Sequence, residues 1–180
     1  MPVFNSGFFV SLTDPNKMTG YWQNFSRSPE YKLPFIAEHN LKDRFTKPEN
    51  PIMDPLGERK WEVSFLSDDG KPSPAIGLFD YEKSGRVCGT FATETGDLRY
   101  LEGLYCDSTL RLSCFDGSHA FLFKAKKQNN GTLSGDFWSG KHWKEAWVAQ
   151  ENESYSLTDP FSLTSLTAVS YTHLTLPTKA

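Results

Sequence analysis

Trp138-Ser139-Gly140-Lys141-His142-Trp143 is the clearest polar–aromatic cluster in the sequence. Its indoles offer flat stacking surface, and Lys141 or His142 would hold an anionic group. Trp138, Lys141, His142 and Trp143 are therefore the candidate ligand-binding residues. The competing reading is a tight turn whose tryptophans cap one end of a core. Hydrolysis by Ser139, with His142 as base and Asp136 orienting it, needs three groups in mutual contact. Neighbours on a single turn rarely achieve that, and there is no G-x-S-x-G elbow. No residue is assigned a catalytic role.

Glu94, Asp97, Glu102 and Asp107 form an acidic group near one turn and the strand after it. Paired carboxylates can run acid–base chemistry or bind calcium. A solvated turn, with Arg99 as a partner on the outer face, is the simpler account. His119 lies near Asp116 and is expected to make a turn hydrogen bond, while His39 has no evident partner. Cys88, Cys106 and Cys114 are spaced by 18 and 8 residues. They include no C-x-x-C dithiol and, with three non-terminal histidines, match no zinc spacing, so neither a metal nor a cofactor is expected. The thiols read as small apolar strand residues, Cys114 sharing a face with Leu110 and Leu112. A Cys106–Cys114 bridge across a hairpin is the alternative.

Composition narrows the partners. At 180 residues the chain is expected to form one domain, and its formal net charge of -3 leaves no basic stripe for a phosphate backbone. Nucleic acid is not an expected partner. No apolar run approaches the roughly 20 residues that span a bilayer. The first residues show no basic region followed by an apolar core, the form of an export signal.

The elements that must position these side chains share one device. Val87-Cys88-Gly89-Thr90-Phe91, Leu101-Glu102-Gly103-Leu104-Tyr105 and Leu133-Ser134-Gly135-Asp136-Phe137 each place an apolar residue, a glycine and an aromatic at alternate positions. In a strand those three look one way. Gly20 and Gly77 lie in stretches of nearly the same form. Gly20, Gly89, Gly103 and Gly135 are thus structural residues, giving a neighbouring ring room and letting the sheet bend. Strands are expected at 7–12, 18–27 and 31–39, then a Pro-rich loop at 40–59 covering one end of the sheet. Further strands follow from 60 to 149, joined by short loops at signals such as Asp68-Asp69-Gly70 and Asn129-Asn130-Gly131. Loops so short join antiparallel neighbours. The fold class is all-β, an antiparallel meander of about nine or ten strands closing into a barrel or a flattened, lipocalin-like barrel. Residues 1–150 are expected to form this barrel, and 151–167 reads as a polar linker.

Three longer blocks carry a resemblance. They are 89–103, beginning Gly89-Thr90-Phe91-Ala92-Thr93-Glu94-Thr95-Gly96-Asp97, then 112–123, with Cys114-Phe115-Asp116-Gly117-Ser118-His119, and 135–143, Gly135-Asp136-Phe137-Trp138-Ser139-Gly140-Lys141-His142-Trp143. The chain resembles, over roughly residues 3–165, the N-terminal domain preceding the thioredoxin-fold domain in a subgroup of TlpA/ResA-like thiol–disulfide oxidoreductases. The resemblance implies a non-catalytic accessory domain that positions, or selects protein clients for, a C-terminal thioredoxin-fold domain. It also implies a periplasmic or envelope location. The family keeps its W-C-x-x-C dithiol in that other domain, and no residue here matches it; Cys114 falls in a family-like block, and Cys88 stands where Thr is expected. Residues 151–167 would then lead toward a missing domain. Residues 168–180, which include His173, resemble the translated read-through of a sequencing adapter and are expected to be a non-native tail. An autonomous lipocalin-like carrier, with a small hydrophobic ligand inside the barrel, is the alternative function.

Overall fold

The computed structural model describes residues 5–41, 43–57, 59–67 and 70–157. Asp68 and Asp69 of the expected hairpin signal, the later part of the linker and residues 168–180 lie outside the described residues. Among the described residues every regular element is a strand, and every pairing is antiparallel. No helix among them is long and apolar enough to cross a membrane.

In chain order the strands are β1 (Ser6–Asp14), β2 (Lys17–Asn24), β3 (Lys32–Glu38), β4 (Lys60–Leu66), β5 (Pro72–Tyr81) and β6 (Arg86–Thr93). They continue as β7 (Gly96–Asp97), β8 (Leu101–Cys106), β9 (Thr109–Phe115), β10 (Ala120–Lys127), β11 (Leu133–Ser139) and β12 (Trp143–Glu151). The antiparallel barrel expected from the sequence is present. Eight strands close it in the order β4, β5, β6, β8, β9, β10, β11, β12, and β12 returns to β4 with Trp147 opposite Phe65. The two-residue β7 pairs only with the end of β6. Each hairpin folds because alternation places Trp61, Val63 and Phe65, or Leu110, Leu112 and Cys114, on the buried face of its strand.

Eight strands leave an interior just wide enough for side chains. Rings occupy it here: Phe91 stacks on Phe123 at 4.5 Å, Phe123 on Phe137 at 4.4 Å, and Trp147 meets Phe91 edge-on at 5.3 Å. Gly89, Gly103 and Gly135 share the inward phase. A Cβ on any of them would collide with the carbonyl of Leu78, Arg111 or Lys124 on the adjacent strand. The wall coils tightly at these points because the residues lack that atom.

The loop between β3 and β4 does cover one end. Leu56, 1% exposed, enters the core, Tyr105 Oη donates to Asp54 Oδ2 at 2.8 Å, and Lys127 Nζ donates to the Leu56 carbonyl at 2.7 Å. Ile52 and Asp107 exchange hydrogen bonds beside β8, where Leu104 and Cys106 point away from the barrel axis and are still buried. Cys106 and Cys114 therefore face opposite sides of the wall, and all three thiols are free. The hairpin bridge does not form.

The first three strands differ from the sequence reading in where they lie. They form their own sheet, ordered β1-β2-β3, instead of opening the barrel. β4 is paired on both sides, by β12 and by β5, so it has no open edge for β3 to join. Pro34, which lacks an N–H, lies on the outer strand β3, as expected of an edge.

Candidate functional site

The sheet docks at the other end of the barrel, against the turns 116–119 and 140–142. Phe8 and Trp22 close on Phe115 with ring centroids 5.5 and 5.2 Å away. Ser6 Oγ donates to the Gly117 carbonyl at 2.6 Å, and Asn24 Nδ2 donates to the Ser118 carbonyl at 3.3 Å. Tyr31, just before β3, is the hub: its hydroxyl shares a 2.9 Å hydrogen bond with His142 Nδ1, and the Arg27 guanidinium lies 5.2 Å from its ring centre. Lys141 sits 5.5 Å over the same ring while its Nζ donates to the Glu30 carbonyl at 2.8 Å.

The four predicted ligand residues are thus drawn apart. Lys141 and His142 hold the sheet to the barrel. Trp138 faces outward on β11 with Lys144 5.5 Å over its ring, and it lines a groove of about 330 Å³ with Leu33 of β3 and Leu122 of β10. Trp143 is half exposed at the barrel mouth, its Nε1 donating to Glu145 Oε2 at 3.3 Å. Ser139, His142 and Asp136 do not assemble. Asp136 pairs with Lys144 at 3.2 Å, His142 with Tyr31, and no hydrogen bond joins either to Ser139 among the described residues.

The junction carries shifted titrations. Burial, followed by the charges of Arg27 and His119, holds His142 below its ordinary value of 6.5. Burial pushes the Asp116 carboxyl up, but hydrogen bonds from the Ser118 and His119 backbone N–H groups and the His119 ring outweigh it and leave it below the usual range. The turn bond expected of His119 is present, Nδ1 to Asp116 Oδ2 at 3.1 Å. The Arg99 guanidinium pairs with Asp116, at 3.1 Å, while its backbone N–H alone reaches the acidic group, donating to Asp97 Oδ1 at 3.4 Å. That group is dispersed: Glu102 binds Arg86 at 2.9 Å, and Asp107 accepts from the Ile52 N–H at 2.7 Å. Among the described residues no three His, Cys, Asp or Glu side chains gather in a way that would hold a metal ion.

Glu145 was missed in the sequence. On β12 it shares its phase with Trp147 and Ala149, both buried in the core, and it stands opposite Phe137 in register. It lines a cavity of about 230 Å³ at the barrel mouth together with Phe65, Phe137 and Leu98. The available signal was the alternation Trp143-Lys144-Glu145-Ala146-Trp147, which puts a carboxylate on the apolar phase. No family model, curated protein or solved structure matches the chain.

Proposed function

We propose that this chain is a non-catalytic β-domain that positions, or selects protein clients for, a thioredoxin-fold thiol–disulfide oxidoreductase domain of the same parent protein in the cell envelope. The observation that carries this reading is where the apolar surface lies. Rings fill the barrel interior, whereas Val10, Leu12 and Met18 are 50%, 76% and 39% exposed on the face of the sheet that continues the Phe8–Trp22–Leu33 row. An apolar face extending past the body it rests on suits contact with another polypeptide. The resemblance of the blocks at 89–103, 112–123 and 135–143 supplies the kind of partner. A lipocalin-like carrier is less well supported, because Phe91, Phe123, Phe137 and Trp147 occupy the space its ligand would need.

Reading the source gene beyond Thr167 tests the proposal. A thioredoxin-fold domain with a W-C-x-x-C dithiol is the expected result; a stop codon or an unrelated domain overturns it. Reduction of insulin by the purified chain would contradict its non-catalytic role.

A further inference from the structure

Glu145 places a carboxylate where the barrel otherwise has rings. Among the described residues no Lys, Arg or His nitrogen pairs with it, and its hydrogen bond comes from the Trp143 indole. Cations near this end are engaged elsewhere: Lys144 with Asp136, Arg99 with Asp116, and Lys141 with the Glu30 carbonyl. The carboxylate stands at the wall of a cavity of about 230 Å³ bordered by Phe65, Phe137 and Leu98, with Thr93 and Thr95 at the rim. Phe65 and Phe137 are almost wholly buried, so the cavity ends on the ring cluster of the core. An opposite charge on an apolar frame would complement both the carboxylate and the ring wall beside it.

We propose that the barrel mouth binds a small organic cation, an alkylammonium group, with its charge against Glu145 and its carbon frame against Phe65, Phe137 and Leu98. The chemistry is complementary at both ends. A carboxylate attracts the cation, aromatic rings favour a weakly hydrated ammonium over a neutral group of the same shape, and the apolar wall takes the methyl or methylene groups. The Trp143 indole N–H positions the carboxylate and leaves its other oxygen for the ligand. The site is separate from the apolar sheet face and stands whether or not the accessory-domain reading holds.

Choline and its uncharged carbon isostere, 3,3-dimethylbutan-1-ol, test it when titrated into the isotopically labelled chain and followed by amide and indole NMR shifts. Choline is expected to saturate shifts at Thr93, Leu98, Glu145 and the Trp143 indole. Its Kd should be about tenfold below that of the alcohol. Glu145→Gln should remove most of choline's advantage over the alcohol, leaving only the part the rings supply, while retaining the dispersed spectrum of the fold. The wild-type comparison of charged and neutral ligand stands by itself if that variant does not fold. Equal affinity of the wild type for both ligands, no saturation up to about 10 mM choline, or shifts confined to another surface would overturn the proposal.

Discussion

The barrel and the three-stranded sheet are made with the same device and end in opposite conditions. Gly103 in β8 and Gly20 in β2 each lie where a Cβ would strike a carbonyl of the adjacent strand, that of Arg111 and that of Phe9 respectively. Both regions alternate apolar and polar residues along antiparallel strands. The barrel closes on itself, so its apolar phase is covered almost throughout: Trp61, Phe91, Leu110, Phe123 and Trp147 are all inaccessible to solvent. Among the described residues the sheet is open at β1 and β3, and it is covered at one end, where Phe8 and Trp22 meet Phe115 and Tyr31 meets His142. Three strands become stable by packing one face against something else. Closure, which no single strand encodes, decides which apolar residues remain available to a partner.

The largest effect should come from breaking the region on which the other depends. Phe123→Ala removes a ring stacked on both Phe91 and Phe137 and should cost about 3–5 kcal/mol. Barrel and sheet should be lost in one transition, because the sheet has no other support; this is read from denaturant unfolding followed in the near ultraviolet. Gly20→Ala should instead cost about 1–3 kcal/mol through its clash with the Phe9 carbonyl. Hydrogen exchange should show the loss confined to β1–β3, with barrel amides still protected. A loss of barrel protection in that variant would mean that the two regions fold as one unit.

Much of this division lies beyond sequence patterns. Alternation and turn residues made the strands, the antiparallel meander and the covering loop legible, because each is set within a few residues. The form around Gly20 is the same as that around Gly103, since it reports a close neighbouring strand and not which strand that is. Lys141 and His142 stood out as polar groups between tryptophans. Their partners, Glu30 and Tyr31, lie 111 residues earlier in the chain. Only the tertiary fold brings these pairs together, so a ligand site and a docking joint look alike in sequence. Leu56 was likewise hidden in a Pro-rich loop, where a single apolar residue has no period to betray it.

The joint between the regions should be sensitive to acid, and the core should not. His142 titrates lower in the fold than in the unfolded chain, so the unfolded state takes up its proton first on acidification. The stability tied to neutral His142 is present above about pH 6.5 and falls as pH drops below it. The depressed Asp116 adds a second loss below about pH 3.8, where the unfolded carboxyl protonates but the folded one resists. Exchange protection of β1–β3 should therefore fall in two steps, while the core cluster, which contains no Asp, Glu or His, holds longer. His142→Gln should remove the upper step and keep the lower one. Tyr31→Phe, which deletes the hydroxyl bound to His142, should weaken docking by about 1 kcal/mol.

Leu12→Lys should have the smallest effect on the fold, and that makes it the sharpest test of what the open sheet is for. Leu12 is 76% exposed, so a lysine at this position loses almost no buried contact and should change stability by less than about 0.5 kcal/mol. β1 carries no proline and no charge before Asp14, the two devices that commonly protect an edge strand, whereas β3 has Lys32, Pro34 and Glu38. A lysine at position 12 supplies the missing charge on the apolar face without touching Phe8 or Trp22 at the joint. If the sheet is the docking surface, clients crosslinked to the parent protein should be lost in this variant while exchange protection in both regions stays at the wild-type level. Undiminished capture would separate the exposed face from the function and move attention to the groove beside Trp138, where Leu33 and Leu122 already form two apolar walls.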